Sequence, residues 1–200
     1  MLGSITSRVI QKAADRGMIK DSDIEDYSYG LDLILTIAVT DLSALLIGLI
    51  MKSFVSVLIF WIVYKALRKY VGGFHFDNSV ICYLSSCVLC ISNALFVKYA
   101  VFNSSVYLTV MLVSSAAMFI LAPVEAKQKP LDEREYEVFK VIARILVGIA
   151  VLIYFVAFSY DNIFLQKVMM FSCLCVTGFS IIGKILIISR KNKYKRSHTD

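Results

Sequence analysis

The sequence predicts an all-α, polytopic membrane protein with about six transmembrane helices and an amphipathic N-terminal helix lying in the membrane interface. Three observations predict it. Of 200 residues, 58% are hydrophobic and only 18% charged, the mean hydropathy is +0.74, and the apolar residues gather into runs of membrane-spanning length. Such a chain is not a water-soluble globule. With only two prolines, nine glycines and those long apolar runs, it is also neither a disordered linker nor a collagen-like repeat. Inside lipid every backbone N–H and C=O must be satisfied by the chain itself, and continuous apolar runs do this as helices.

The elements follow in order. Residues 1–29 lack the apolar core and small-residue cleavage site of a signal peptide. On a helical wheel Leu2, Ile5, Val9 and Ala13 share one face, Arg8 and Lys12 flank it, and Gly17 interrupts the pattern, as expected of a helix lying in the interface. Six apolar runs come next: about Leu31 to Met51, Ser53 to Leu67, Ser79 to Val97, Ser105 to Ala122, Val141 to Ser159 and Val168 to Ser189. The second is short for a hydrocarbon core of about 30 Å, so four full spans plus re-entrant segments form the rival topology. The whole chain reads as one membrane-embedded domain, with residues 1–29 as the amphipathic segment, 30–190 as the helical bundle and 191–200 as a basic tail.

The net charge of +6 does not mark a nucleic-acid groove, because the basic residues sit at the ends of apolar runs without interleaved aromatics. With six spans and both termini on one side, that side receives seventeen of the 21 basic residues, and only Lys52, Lys98 and Lys167 fall opposite. Lys184 lies inside the last run near its basic end. The positive-inside rule then places both termini, and residues 68–78, in the cytoplasm. The five cysteines are an odd number in apolar or boundary segments, which excludes a complete intrachain disulfide framework. Pro123 and Pro130 bracket a connection of mixed charge that reads as a solvated loop.

Chemistry concentrates in one stretch, Arg68 to Cys82, which holds one of two histidines and the first cysteine. The other histidine, His198, belongs to the tail. Asp77, Asn78 and Ser79 are good N-cap residues directly before an apolar helical run, so Cys82 falls in the first helical turn. Unpaired N–H groups and the positive end of the macrodipole there favour a thiolate. Cys87 and Cys90 lie deeper in the same run, and Cys173 and Cys175 lie within the sixth, where desolvation makes poor nucleophiles. On one continuous helix His75 and Cys82 would stand about 10.5 Å apart. The Gly72-Gly73 pair permits a turn that brings the histidine to the helix start, where it can act as general base and acid. A purely structural role for both residues stays open at this point. So does the role of Asp77 and Asn78, which fit either as helix caps or as a third member orienting the imidazole. No CxxC or HxxxH completes a metal site around the pair.

The constellation Arg68-x4-Gly73-x-His75-x6-Cys82, followed by an apolar helix, resembles the AgrB (accessory gene regulator B) family of membrane-embedded cysteine endopeptidases. Chain length, the dense spans, the amphipathic N-terminus and the Ala122-Pro123 before a Lys- and Pro-containing loop extend the resemblance over most of the chain. It implies a quorum-sensing peptide processor. The substrate would be an AgrD-like propeptide with an amphipathic leader, a Cys- or Ser-containing core and an acidic tail, cut between core and tail and closed into a macrocycle. Cys82 would be the nucleophile and His75 the base, with Arg68 and Gly73 supporting activity or shaping the loop. A homodimer without metal or organic cofactor is implied as well. Lys69, Lys127 and Lys129 are candidates, with Arg68, for recruiting the acidic tail, although anionic lipid headgroups would use the same charges and the 123–140 connection also carries several acids. The alternative is a small transporter or channel, suggested by Asp32, Asp41 and Lys184 in or beside apolar runs. Asp41 lies nine residues after Asp32 on the opposite helical face, so the two do not line one pathway.

Overall fold

The computed structural model describes residues 3–73, 78–124 and 132–196, with side chains for all of these except 3–5, 21 and 190–196. Seven helices are seen among them: α1 (Gly3–Asp15), α2 (Ile24–Ile50), α3 (Phe54–Val71), α4 (Ser79–Tyr99), α5 (Ser104–Leu121), α6 (Glu133–Ser159) and α7 (Ile163–Arg196). A 3-10 turn at Asp21–Asp23 leads into α2. Five of them (α2, α4, α5, α6 and α7) are long and apolar enough to cross a membrane, so the chain is a multi-pass membrane protein. The sixth member of the bundle, α3, is the short run of the sequence. Its 18 residues form one unbroken helix about 27 Å long, so no re-entrant break is seen there.

The helices alternate in direction. One end of the bundle gathers the C-termini of α3, α5 and α7 with the N-termini of α4 and α6: Tyr70 meets Phe139 edge-on at 5.3 Å, and Val124, just past α5, bonds the end of α3. At the other end Lys167 of α7 donates to the Val97 carbonyl of α4 at 3.3 Å. Lys52, Lys98 and Lys167 therefore share the second end, and Arg68, Lys69, Lys140 and Arg144 the first, which is the charge partition expected of six crossings.

Why α3 sits at the centre is plain from its stripe. Val57, Phe60, Trp61, Tyr64, Leu67 and Val71 recur at helical spacing and are all buried. Phe60 stacks on Tyr64 at 5.5 Å and tilts against Phe171 at 5.8 Å, while Tyr64 meets Phe179 at 6.5 Å. On the facing side α7 buries Val168, Met169, Cys173 and Val176, and its Thr177 hydroxyl donates to Ser114 O of α5 at 3.0 Å. The only buried residues of α2 are Ala44 and Gly48, a small-xxx-small pair that lets α3 approach closely; a Cβ at Gly48 would stand 3.2 Å from Val57.

The N-terminal helix forms as expected. Thr6 and Ile10 are buried and Val9 is 52% exposed, because α1 leans on α2 through the Thr6–Ile10 edge. Hydrogen bonds from Met18 N to Ala13 O and from Gly17 N to Ala14 O close the helix. This leaves Val9 on the outward face, where an interfacial helix meets lipid.

Candidate functional site

The last turn of α3 fixes the geometry. Past Val71 the chain turns through Gly72 (φ 78°) and Gly73 (φ 127°), a left-handed course that side chains resist. Space is equally restrictive. A Cβ at Gly72 would fall on the Val124 carbonyl oxygen, and one at Gly73 on Arg68 Nη1 and within 2.8 Å of Phe179 O. The two glycines are thus threaded between α3, α7 and the segment that follows α5.

Besides the helix-closing bond from Gly72 N to Arg68 O at 3.2 Å, four hydrogen bonds hold them there. Val124 N donates to Val71 O at 2.9 Å, and Gly73 N to Val124 O at 3.2 Å, giving a single parallel bridge between Gly72 and Val124. The Gly72 carbonyl accepts from Arg68 Nη1 at 3.0 Å and from Ser180 Oγ at 3.2 Å, which fills both lone pairs of that oxygen. The Arg68 guanidinium lies over the Phe179 ring at 4.8 Å, with Tyr64 one turn earlier on the same helix. Val124 directly follows a cis Ala122–Pro123 bond. The bridge joins the chain leading into residues 74–77 to the chain leading into residues 125–131.

The second wall is the start of α4. Asn78 caps it, its side chain accepting from Val80 N at 2.8 Å, and Cys82 N makes the first i−4 bond, to Asn78 O, at 3.0 Å. Cys82 is the fourth residue of the helix, as expected from the sequence. Its side chain is partly exposed and lies within electrostatic reach of Arg68 and Tyr64. Tyr83 ties this turn to α2 through a 2.9 Å bond between its hydroxyl and that of Ser43. All five thiols are free. Cys90 and Cys173 are fully buried, but Cys87 and Cys175 are partly exposed like Cys82. Exposure alone therefore does not single Cys82 out; what sets it apart is its place in the first turn of a helix capped by Asn78.

The structure brings together Arg68, Gly73, Asn78 and Cys82. Lys69 is exposed on the outside of α3, its ammonium 5.2 Å from the Tyr70 ring. His75, Asp77, Lys127 and Lys129 lie outside the described residues. Among the described residues no three His, Cys, Asp or Glu side chains converge on a point that could hold a metal. Ser180, Phe179 and Val124 escaped the sequence reading, because a serine, a phenylalanine and a valine in or beside apolar runs carry no local signal of a backbone contact more than 50 residues away.

The charges behind the transport alternative are dispersed. Asp41 is held by Lys65 Nζ at 2.7 and 2.8 Å and by Trp61 Nε1 at 2.9 Å. Asp32 borders an open cleft of about 640 Å³ between α1 and α2, with Thr6, Glu25 and Tyr29. Lys184 is exposed on α7.

A family model described as "AgrB: Accessory gene regulator B" matches residues 4–189. The chain is 25% identical over 138 residues to "Putative AgrB-like protein 2" of Clostridium perfringens (strain 13 / Type A), covering 66% of this chain and 64% of the relative. It is 24% identical over 138 residues to "Putative AgrB-like protein" of Clostridium perfringens (strain SM101 / Type A), with the same coverage. The aligned stretch is thus just under two thirds of each relative's length. No solved structure matches the chain.

Proposed function

This chain belongs to the accessory gene regulator B family, and from that premise we propose that it is a membrane-embedded cysteine endopeptidase that removes the acidic tail of a quorum-sensing propeptide and promotes closure of its core into a ring. The observation that carries the reading is Cys82 in the first turn of the capped helix α4, at the end of the bundle where the glycine turn is held from three sides. His75 follows Gly73 by two residues, and two residues of extended chain reach about 7 Å. That short tether supports a histidine working at this end of the bundle.

In the proposed mechanism Cys82 Sγ, its proton taken by His75, adds to the peptide carbonyl at the core–tail junction. In this reading Arg68 and the N–H groups at the start of α4 stabilise negative charge on the sulfur and on the developing oxyanion. The C–N bond breaks, His75 returns the proton to the departing amine, and the core remains on Cys82 as a thioester. A Cys or Ser side chain within the core then attacks that thioester, freeing the Cys82 thiol and closing a thiolactone or lactone. At the lip of the bilayer restricted water favours this intramolecular attack over hydrolysis. Thioester exchange is nearly isoenergetic, so departure of the tail draws the sequence forward. We place the site on the cytoplasmic side, with the basic end of the bundle facing anionic lipid and the acidic tail, and the working unit is a homodimer.

The test is reconstitution in lipid vesicles with the cognate propeptide. Wild-type protein releases the tail, whereas Cys82→Ala and His75→Ala do not, although both insert and fold as the wild type does. Tail release by Cys82→Ala would overturn the proposal.

A further inference from the structure

The turn at Gly72–Gly73 leads into residues 74–77 and on to Asn78, so whatever holds it sets where that connection starts. Arg68 and Val124 are near neighbours of the turn through the end of α3 and the β-bridge. The remaining contact is of a different kind. It comes from α7, 108 residues away in sequence, through one hydroxyl group.

Ser180 is fully buried. A serine inside an apolar helix ordinarily satisfies itself by donating to the carbonyl one turn back, and Ser180 Oγ does reach Val176 O at 2.8 Å. That contact already satisfies its proton. Yet the same hydroxyl also lies 3.2 Å from Gly72 O, and Phe179, one residue earlier, carries the Arg68 guanidinium on its ring at 4.8 Å. The Phe179 carbonyl meanwhile occupies the space in which a Gly73 Cβ would sit. Two successive residues of α7 thus touch the glycine turn and its arginine at three points.

We propose that Ser180 is a positioning residue for the reaction: by sharing its proton with the Gly72 carbonyl it fixes the glycine turn against α7, and with it the direction in which the chain runs towards His75 and Cys82. This rests on the peptidase reading above. The hydroxyl touches no reacting atom. Removing it leaves Arg68 as the only side-chain donor seen on Gly72 O and frees the turn to tilt away from α7. A looser turn slows the chemical step without weakening the grip on a substrate bound elsewhere along the bundle, so kcat falls and KM stays.

The experiment compares wild type, Ser180→Ala, Ser180→Thr and Cys82→Ala in lipid vesicles, with two readouts. One is kcat and KM for tail release from the cognate propeptide. The other is amide hydrogen exchange across residues 71–82, which needs no activity. Ser180→Ala is expected to lower kcat about tenfold with KM unchanged within about twofold and to speed exchange at Gly73, whose N–H is bonded to Val124 O. Ser180→Thr, which keeps the hydroxyl, restores both. Val124→Pro, which deletes the N–H bonded to Val71 O, supplies an independent loosening of the same turn and is expected to reproduce the pattern, whereas Val124→Ala is not. The proposal is overturned if Ser180→Ala cuts at the wild-type rate, if its defect is in KM alone, or if exchange at the turn is unaltered. Wild-type protein that leaves every propeptide intact while Ser180→Ala still loosens the turn would instead remove the peptidase reading and leave the clamp standing.

Discussion

α2 and α3 are neighbours in sequence and opposites in character. α2 has 27 residues, of which two are buried, whereas α3 has 18, of which seven are buried. Judged by hydropathy α2 is the better membrane helix; judged by packing α3 is the better core helix. The difference teaches that hydropathy reports what a helix shows to lipid, while burial reports what it shows to protein. α3 carries three cations near one end: Asp41 of α2 receives Lys65, the Phe179 ring of α7 lies against Arg68, and Lys69 stays exposed. The glycine turn of the site closes the more buried of these two helices.

The comparison can be broken most sharply at two glycines. Gly72→Ala would drive a Cβ into the Val124 carbonyl at a left-handed φ, while a Cβ at Gly30 on α2 meets nothing within 4 Å. The expected outcome for Gly72→Ala is loss of tail release by more than about 100-fold with a lowered melting temperature, since sterics and backbone conformation both oppose it. Gly30→Ala is expected to leave activity unchanged and to hold or raise stability by up to about 1 kcal/mol. Equal effects at the two positions would erase the distinction between the helices.

Side-chain truncation gives the next largest contrast. Phe60 is fully buried against Tyr64 and Phe171, and Phe60→Ala should cost about 3–5 kcal/mol. Leu46 on α2 is 48% exposed, and Leu46→Ala should stay within about 0.5 kcal/mol. Reversible unfolding in mixed micelles measures both. A large loss at Leu46 would mean that its face packs against a second protein chain and not against lipid.

Much of this architecture was legible in the sequence because it depends on local pattern. The apolar runs are long, and Asn78 is the residue type that accepts from a first-turn N–H and does so; the start of α6 at Glu133, within what reads as a charged loop, was not legible. The charge partition between the two ends follows from where Lys and Arg interrupt those runs. The placing of Cys82 in the first turn of α4 was legible for the same reason. What the sequence did not reveal is long-range. Nothing local in Ala122–Val124 or in Phe179–Ser180 announces that these segments meet at Gly72, since the contacts are made largely by backbone carbonyls and amides that every residue carries.

The smallest of these effects is expected at the seam between the two helices. Asp41 of α2 accepts from both Lys65 and Trp61 of α3, and the two charged side chains remain 40% and 43% exposed. Solvent or headgroups reaching the pair would screen it, so Asp41→Asn should cost only about 0.5–1 kcal/mol. The amide oxygen can still accept from the Trp61 indole, which limits the loss further. Lys65→Met in the same background should add little, because the two residues act as one unit and removing the second leaves no unpaired charge. An unfolding double-mutant cycle reads the coupling. If Asp41→Asn instead abolishes tail release while stability barely moves, the pair is more than a staple between α2 and α3, and the functional part of the molecule extends across the seam onto the helix that lipid touches most.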